Sequence, residues 1–220
     1  MSLSIVAYSS RPDVVGFQGA QLQIESIWVS VREAKVRPAA SCKRSSAKPV
    51  LASPFAGDIV GPRIVRVVDL DVSRYCTFDV SLARSRLRAD GVPAEVYGAA
   101  IVVVGRLASG TRFVVRSRLE ASPLLAATEL EGLTVKRPRT SWIVGVDVDR
   151  WFAGVDVAAA GVGEKERTIR IDETSNADLL EAFEANVPSG FALFTDTNDD
   201  GALDPAERLH PIASVGGRDR

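Results

Sequence analysis

Along the first two thirds of the chain, apolar and polar positions alternate in short runs. Residues 3–8, 22–36, 64–72, 76–87, 96–105, 111–119 and 142–149 are rich in Val, Ile and aromatic residues and bounded by Gly, Pro, Ser or Asp, as strands between turns are. Within residues 77–82, Phe78, Val80 and Leu82 alternate with Thr77, Asp79 and Ser81, the pattern of a strand with one wet face. The parity slips from Leu22 and Ile24 to Ile27, Val29 and Val31, which predicts a bulge near Ser26. Asp90-Gly91 and Ser109-Gly110 are turn dipeptides between such runs. About seven strands without long helical periodicity predict a mainly β fold, an antiparallel β-sandwich of Ig-like type.

The last third changes character. Ser175-Asn176-Ala177-Asp178 opens a helix through Asn186, with Leu179, Leu180 and Phe183 on one face and Pro188 ending it. A shorter turn is expected over residues 149–153, with Asp149 capping Arg150-Trp151-Phe152. Residues 37–62, with several Pro and Ser, read as one long loop or two, and residues 215–220 as a frayed end. The chain therefore divides into a sandwich domain, 1–165, and a C-terminal segment, 166–220, packed on it.

Chemistry concentrates in Asp196-Thr197-Asn198-Asp199-Asp200-Gly201-Ala202-Leu203-Asp204-Pro205-Ala206-Glu207. Calcium is a hard ion that takes six to eight oxygens, and a twelve-residue coil supplies them at fixed positions. Asp196, Asn198 and Asp200, at positions one, three and five, turn side-chain oxygens inward. Gly201 permits a turn that a Cβ would obstruct. Ala202 contributes its carbonyl, Asp204 holds a bridging water, and Glu207 closes the shell with both carboxylate oxygens. Leu203 is the apolar anchor, Pro205 starts a short exit helix, and Asp199 is expected to point outward. The competing reading is an acidic surface turn that holds no ion.

These residues resemble the EF-hand loop family over about a dozen positions. The flanks depart from it: Gly190-Phe191-Ala192-Leu193-Phe194 reads as a strand or short turn where that family has a long helix, and His210-Pro211 cuts the exit helix short. The stretch from Trp142 to Asp156, together with residues 171–177 and the loop, also resembles uncharacterised bacterial surface lipoprotein domains with sandwich folds. That resemblance carries no activity with it.

Composition narrows the classes. The 220 residues are 46% hydrophobic and 25% charged, enough for a packed core, and a net charge of −1 is no footprint for a nucleic-acid backbone. No run approaches the ~20 apolar residues of a membrane helix. Met1-Ser2-Leu3-Ser4-Ile5 lacks the features of a signal peptide, so the chain is either cytosolic or has lost an export signal. Cys42 and Cys76 are either free thiols or a bridge, and the polar, small-residue surroundings of Cys42 favour the bridge. Two cysteines and one histidine do not make a four-ligand zinc site unless a carboxylate joins them.

Other candidates have plainer readings. His210 is a loop histidine, Asp69 with Asp71 and Asp147 with Asp149 are wet strand faces or caps, and Trp28, Trp142 and Trp151 belong to the core. The expectation is a non-enzymatic, calcium-binding domain that is extracellular, on the cell surface or periplasmic, with an adhesion, scaffold or ligand-binding role. The alternative is a glycan-binding or glycan-acting module using paired Asp and exposed Trp, and a third reading is a cytosolic calcium-regulated protein with free thiols. Neither the partner, protein or glycan, nor the oligomeric state has a signature in the residues.

Overall fold

The computed structural model describes residues 1–11, 21–40, 42, 44–86, 88, 91–128, 132–136, 140–162 and 167–216. Leu87, Asp90 and residues 217–220, on which parts of the expected strand, turn and frayed end fall, lie outside this set. The strands in chain order are β1 (Ser2–Tyr8), β2 (Leu22–Pro38), β3 (Lys48–Pro49), β4 (Phe55–Asp58), β5 (Arg63–Val65), β6 (Ser73–Leu82) and β7 (Ile101–Leu107). They continue as β8 (Arg112–Ser117), β9 (Leu124–Ala127), β10 (Leu133–Val135), β11 (Ser141–Asp147), β12 (Thr168–Ile171), β13 (Phe191–Thr195) and β14 (Ala213–Ser214). Among the described residues three α-helices join them: α1 (Val148–Trp151), α2 (Ala177–Asn186) and α3 (Pro205–Arg208).

The chain is mainly β, but the expected antiparallel sandwich does not form. The strands make one large mixed sheet, ordered β12-β8-β7-β2-β6-β9-β14-β13-β11-β1-β5, that curls into a half-barrel. Two of its pairings are parallel, β1 with β11 and β8 with β12. The cause of the single sheet is β2. Its first half pairs with β7 and its second half with β6, and its 17 residues carry register shifts at Ile24/Ser26, Val31/Glu33 and Arg37/Pro38. Bulges bend a strand and increase its twist, so β2 carries the sheet round a corner where a sandwich would break it in two. The first of these shifts is the bulge expected near Ser26.

The same change of neighbours explains several displaced boundaries. β6 ends at Leu82, opposite Val31, where β2 turns to other partners. The strand expected over 64–72 is confined to Arg63–Val65, because Val65 lies opposite Leu3 and β1 offers almost nothing beyond it. Asp69 and Asp71 consequently sit outside any strand, and Asp71 pairs with Lys48. The run expected over 96–105 begins as a short 3-10 turn, Ala94–Val96, and becomes a strand only at Ile101. The stretch 37–62, expected as loop, contains β3 and β4, both paired with β2.

The concave face encloses the main core, in which Ile27, Phe78, Phe113, Trp142, Trp151 and Phe183 are buried. Leu180 and Phe183 face it from α2 as the helix pattern predicts, while Leu179 is half-buried. The helix starts at Ala177, within the stretch expected to open it; Asn176 before it takes φ 55°, and its amide donates to Arg170 O of β12 (2.6 Å) and Gly161 O (3.2 Å). The segment after residue 166 is woven into the sheet, with β12 beside β8 and β13 beside β11. A Cys42–Cys76 disulfide, Cα–Cα 6.0 Å, ties the segment after β2 to β6. Among the described residues no helix is long and apolar enough to cross a membrane.

Candidate functional site

All seven positions of β11 are buried, so this strand is covered on both faces. The outer cover is the acidic loop. Phe194 of β13 and Leu203 of the loop pack with Val6, Tyr8 and Ile143 into a small second core. The contact is close enough to require glycine beneath it: a Cβ on Gly145 would stand 2.6 Å from Phe194 Cε2, 2.9 Å from Tyr8 Cε1 and 3.2 Å from Leu203 Cδ2. Gly145→Ala is therefore expected to destabilise the fold by about 1–3 kcal/mol, the usual cost of overpacking, measured as a lowered midpoint in chemical denaturation.

The loop leaves β13 directly, so its entering element is a strand and its exit element is the single turn α3. Asp196 continues the pairing of β13, its N–H donating to Ser141 O at 3.0 Å. Its carboxylate turns into the loop, where Oδ2 accepts from Gly201 N at 3.0 Å. The residue is 7% exposed, and its Oδ1 is buried without a hydrogen-bond partner. Asn198 Oδ1 accepts from Asp200 N (3.2 Å), and Asp200 Oδ1 accepts from Ala202 N (2.7 Å). The Asn198 amide donates to Asp200 Oδ2 (3.0 Å) and Asp204 Oδ2 (3.3 Å). Gly201 has φ +74°, in the left-handed region, and a Cβ there would meet Ser4 Oγ at 2.8 Å.

Glu207 closes the loop. Its Oε1 accepts from both Thr197 N and Thr197 Oγ1 at 2.7 Å, and its Oε2 accepts from Asp204 N at 3.1 Å. Burial opposes ionisation of this carboxyl, but the Thr197 and Asp204 bonds outweigh it and hold the group below the usual glutamate range. Asp199 is exposed, with its carboxylate outside the loop's interior, as expected. At φ 60° its carboxylate accepts from Ser141 Oγ, which in turn accepts from Ser2 Oγ at 2.7 Å. None of the loop's five carboxylates, on Asp196, Asp199, Asp200, Asp204 and Glu207, forms a salt bridge with a described residue.

Among the described residues no group of three or more His, Cys, Asp or Glu is drawn together so as to hold a metal ion. The loop carboxylates bond largely to the loop's own N–H groups instead. The donor set nevertheless suits a hard cation, since Asp196, Asn198, Asp200, Asp204, Glu207 and the Ala202 carbonyl all offer oxygen. One buried carboxylate oxygen among them has no partner. Thr197, Ser141 and Ser2 are contributors that the loop spacing does not reveal.

The remaining candidates separate. His210 is exposed, and its backbone N–H donates to Glu207 O. Asp147, and not Asp149, caps α1: its Oδ1 accepts from Asp149 N and Arg150 N, because the chain leaves β11 two residues earlier than the pattern suggests. Asp149 pairs with Arg11 at 2.9 Å. Trp142 and Trp151 are core residues, 1% and 0% exposed, and Trp28 is half-buried.

Fold and site together describe a mainly β domain, built on one curled mixed sheet, whose outer face is closed by an oxygen-rich acidic loop. No family model matches the chain, and no curated protein matches it. Among solved structures it is similar to MbnP from Methylosinus trichosporium, with a TM-score of 0.48 and 9% sequence identity over 90% of this chain and 99% of that one. The architecture overturns the resemblances to the EF-hand family and to bacterial surface lipoprotein sandwich domains. The element that enters the loop is the strand β13 where that family has a long helix, and a single sheet stands where a sandwich was expected.

Proposed function

We propose that this is an exported, non-enzymatic domain in which one calcium ion fastens residues 196–207 over the outer face of β1, β11 and β13, leaving the body free for an adhesion, scaffold or ligand-binding role. Asp196, Asn198, Asp200, Asp204 and Glu207 would hold the ion with their side chains, and Ala202 with its carbonyl. The observation that carries this reading is Asp196 Oδ1, a carboxylate oxygen buried inside an acidic loop with nothing to accept from. Leaving such an atom unpaired is costly, and a cation would satisfy it while offsetting charge that no basic side chain among the described residues neutralises. The Cys42–Cys76 bridge supports export, because disulfides persist chiefly in oxidising compartments.

A ligand that binds only the folded state stabilises it by about 2.7 kcal/mol at a hundredfold excess over Kd. Calcium at that excess should raise the Tm of the EGTA-treated protein by roughly 5–10 °C for a chain of this size, and Asp196→Ala should abolish the increment. A Tm indifferent to calcium and chelator, together with no heat on calorimetric titration, would refute the ion site.

A further inference from the structure

A cavity of about 730 Å³ opens where the carboxyl ends of the parallel strands β1 and β11 meet β13 and α3. That volume is in the range of small-molecule sites, about 300–1,000 Å³. Its apolar surface comes from Ala192, Pro205 and Pro211, with Phe191 and Phe194 of β13 buried behind them. At its rim stand Leu209, 73% exposed, and Val215, 40% exposed, two large apolar side chains on one opening. Exposed apolar residues that converge on a concave site mark a place where something apolar is received.

The polar side of the same cavity is cationic. Among the described residues Arg11, Arg150 and Arg208 line it, against the one lining carboxylate of Asp147. Asp149 lies behind Arg11, which it pairs at 2.9 Å. Asp147 is occupied as the cap of α1 and lies 3.3 Å from Arg150 Nε. Arg150 is anchored by Nη1 to Ser189 O (3.2 Å), and Arg208 by Nε to Leu203 O (3.1 Å) and Nη1 to Ser9 O (3.3 Å). In each guanidinium Nη2 donates no hydrogen bond to a described residue, so both forks are held in place with a donor to spare. Tyr8 adds a phenol that makes no hydrogen bond with a described residue. Burial, and then the charge of Asp147, push its pKa upward, so it remains a proton donor.

We infer that this cavity binds a small amphipathic organic anion, its carboxylate held by Arg150, Arg208 and the Tyr8 hydroxyl and its apolar body lying against Leu209 and Pro211. A neutral apolar ligand would leave the guanidinium donors unanswered, and a cation would face three arginines. The inference does not depend on calcium binding by the neighbouring loop.

The test is a fluorescence titration of the full chain with 1-anilinonaphthalene-8-sulfonate, followed by displacement with decanoate, decanol and decyltrimethylammonium. One saturable site is expected, displaced by decanoate and by neither of the other two. Arg150→Gln and Arg208→Gln should each weaken binding about tenfold, the loss of one charge-assisted hydrogen bond. Arg106→Gln, which removes a pairing with Glu25 outside the cavity, should leave it unchanged. Leu209→Glu changes an exposed side chain, so it preserves the fold, and it should weaken binding at least as much by placing a negative charge at the mouth. Displacement by decanol as effective as by decanoate, or undiminished binding in either arginine variant or in Leu209→Glu, overturns the inference.

Discussion

Trp151→Ala is expected to cost about 3–5 kcal/mol and to lower Tm by roughly 10–15 °C. The indole is 0% exposed and stands where α1, α2 and β13 converge. Its ring lies 5.7 Å from that of Phe183, nearly edge-on, and 5.8 Å from that of Phe191. Alanine would leave a large void among these rings. It would also strand the Val187 carbonyl, which now accepts from Trp151 Nε1 at 3.1 Å inside the core. Urea denaturation separates the two contributions: Trp151→Phe keeps most of the packing and loses only the hydrogen bond, so its midpoint should fall much less. Equal losses in the two variants would place the whole effect in the stranded carbonyl.

The second large effect concerns the bridge. Cys42 and Cys76 are 34 residues apart, and opening a loop of that length releases about 3–4 kcal/mol of chain entropy to the unfolded state. Reductant, or the double substitution Cys42→Ser with Cys76→Ser, should therefore lower Tm by roughly 10 °C. Thiol titration of the untreated, denatured protein should find no free cysteine. Two reactive thiols, or a melt indifferent to reductant, would remove both the bridge and the main support for export.

Much of the strand content was legible because alternation is a local property. β1, β2, β8 and β11 lie close to where their patterns place them, and the parity slip at Ser26 marks a real bulge. What alternation does not encode is the choice of neighbour. Nothing near Leu3 or Trp142 records that they lie side by side in a parallel pair, and nothing in β2 announces that it changes partners midway. Sandwich and half-barrel share the same local pattern, and that switch decides between them.

The loop was legible in its spacing and less so in its contacts. Thr197 occupies a position that the spacing treats as filler, yet its N–H and hydroxyl hold Glu207. Asp199 is outward as its position predicts, but its partner Ser141, 58 residues earlier, has no place in the pattern. The arginine-lined cavity had no sequence signal at all. Its walls come from stretches around Tyr8, Arg150, Phe191 and Arg208, each unremarkable alone.

The parallel pairing of β1 and β11 also sets a timetable. Ser2 meets Ser141 at a sequence separation of 139. During ribosomal synthesis at about 5–20 residues per second, that partner emerges roughly 7–28 s after β1 does. Throughout that wait Leu3, Ile5, Val6 and Tyr8 have no neighbour on the strand's eventual β11 side, and long-range pairing of this kind forms slowly even once both strands exist. A holding chaperone, or folding postponed until the whole polypeptide is available, is what this topology asks of the cell.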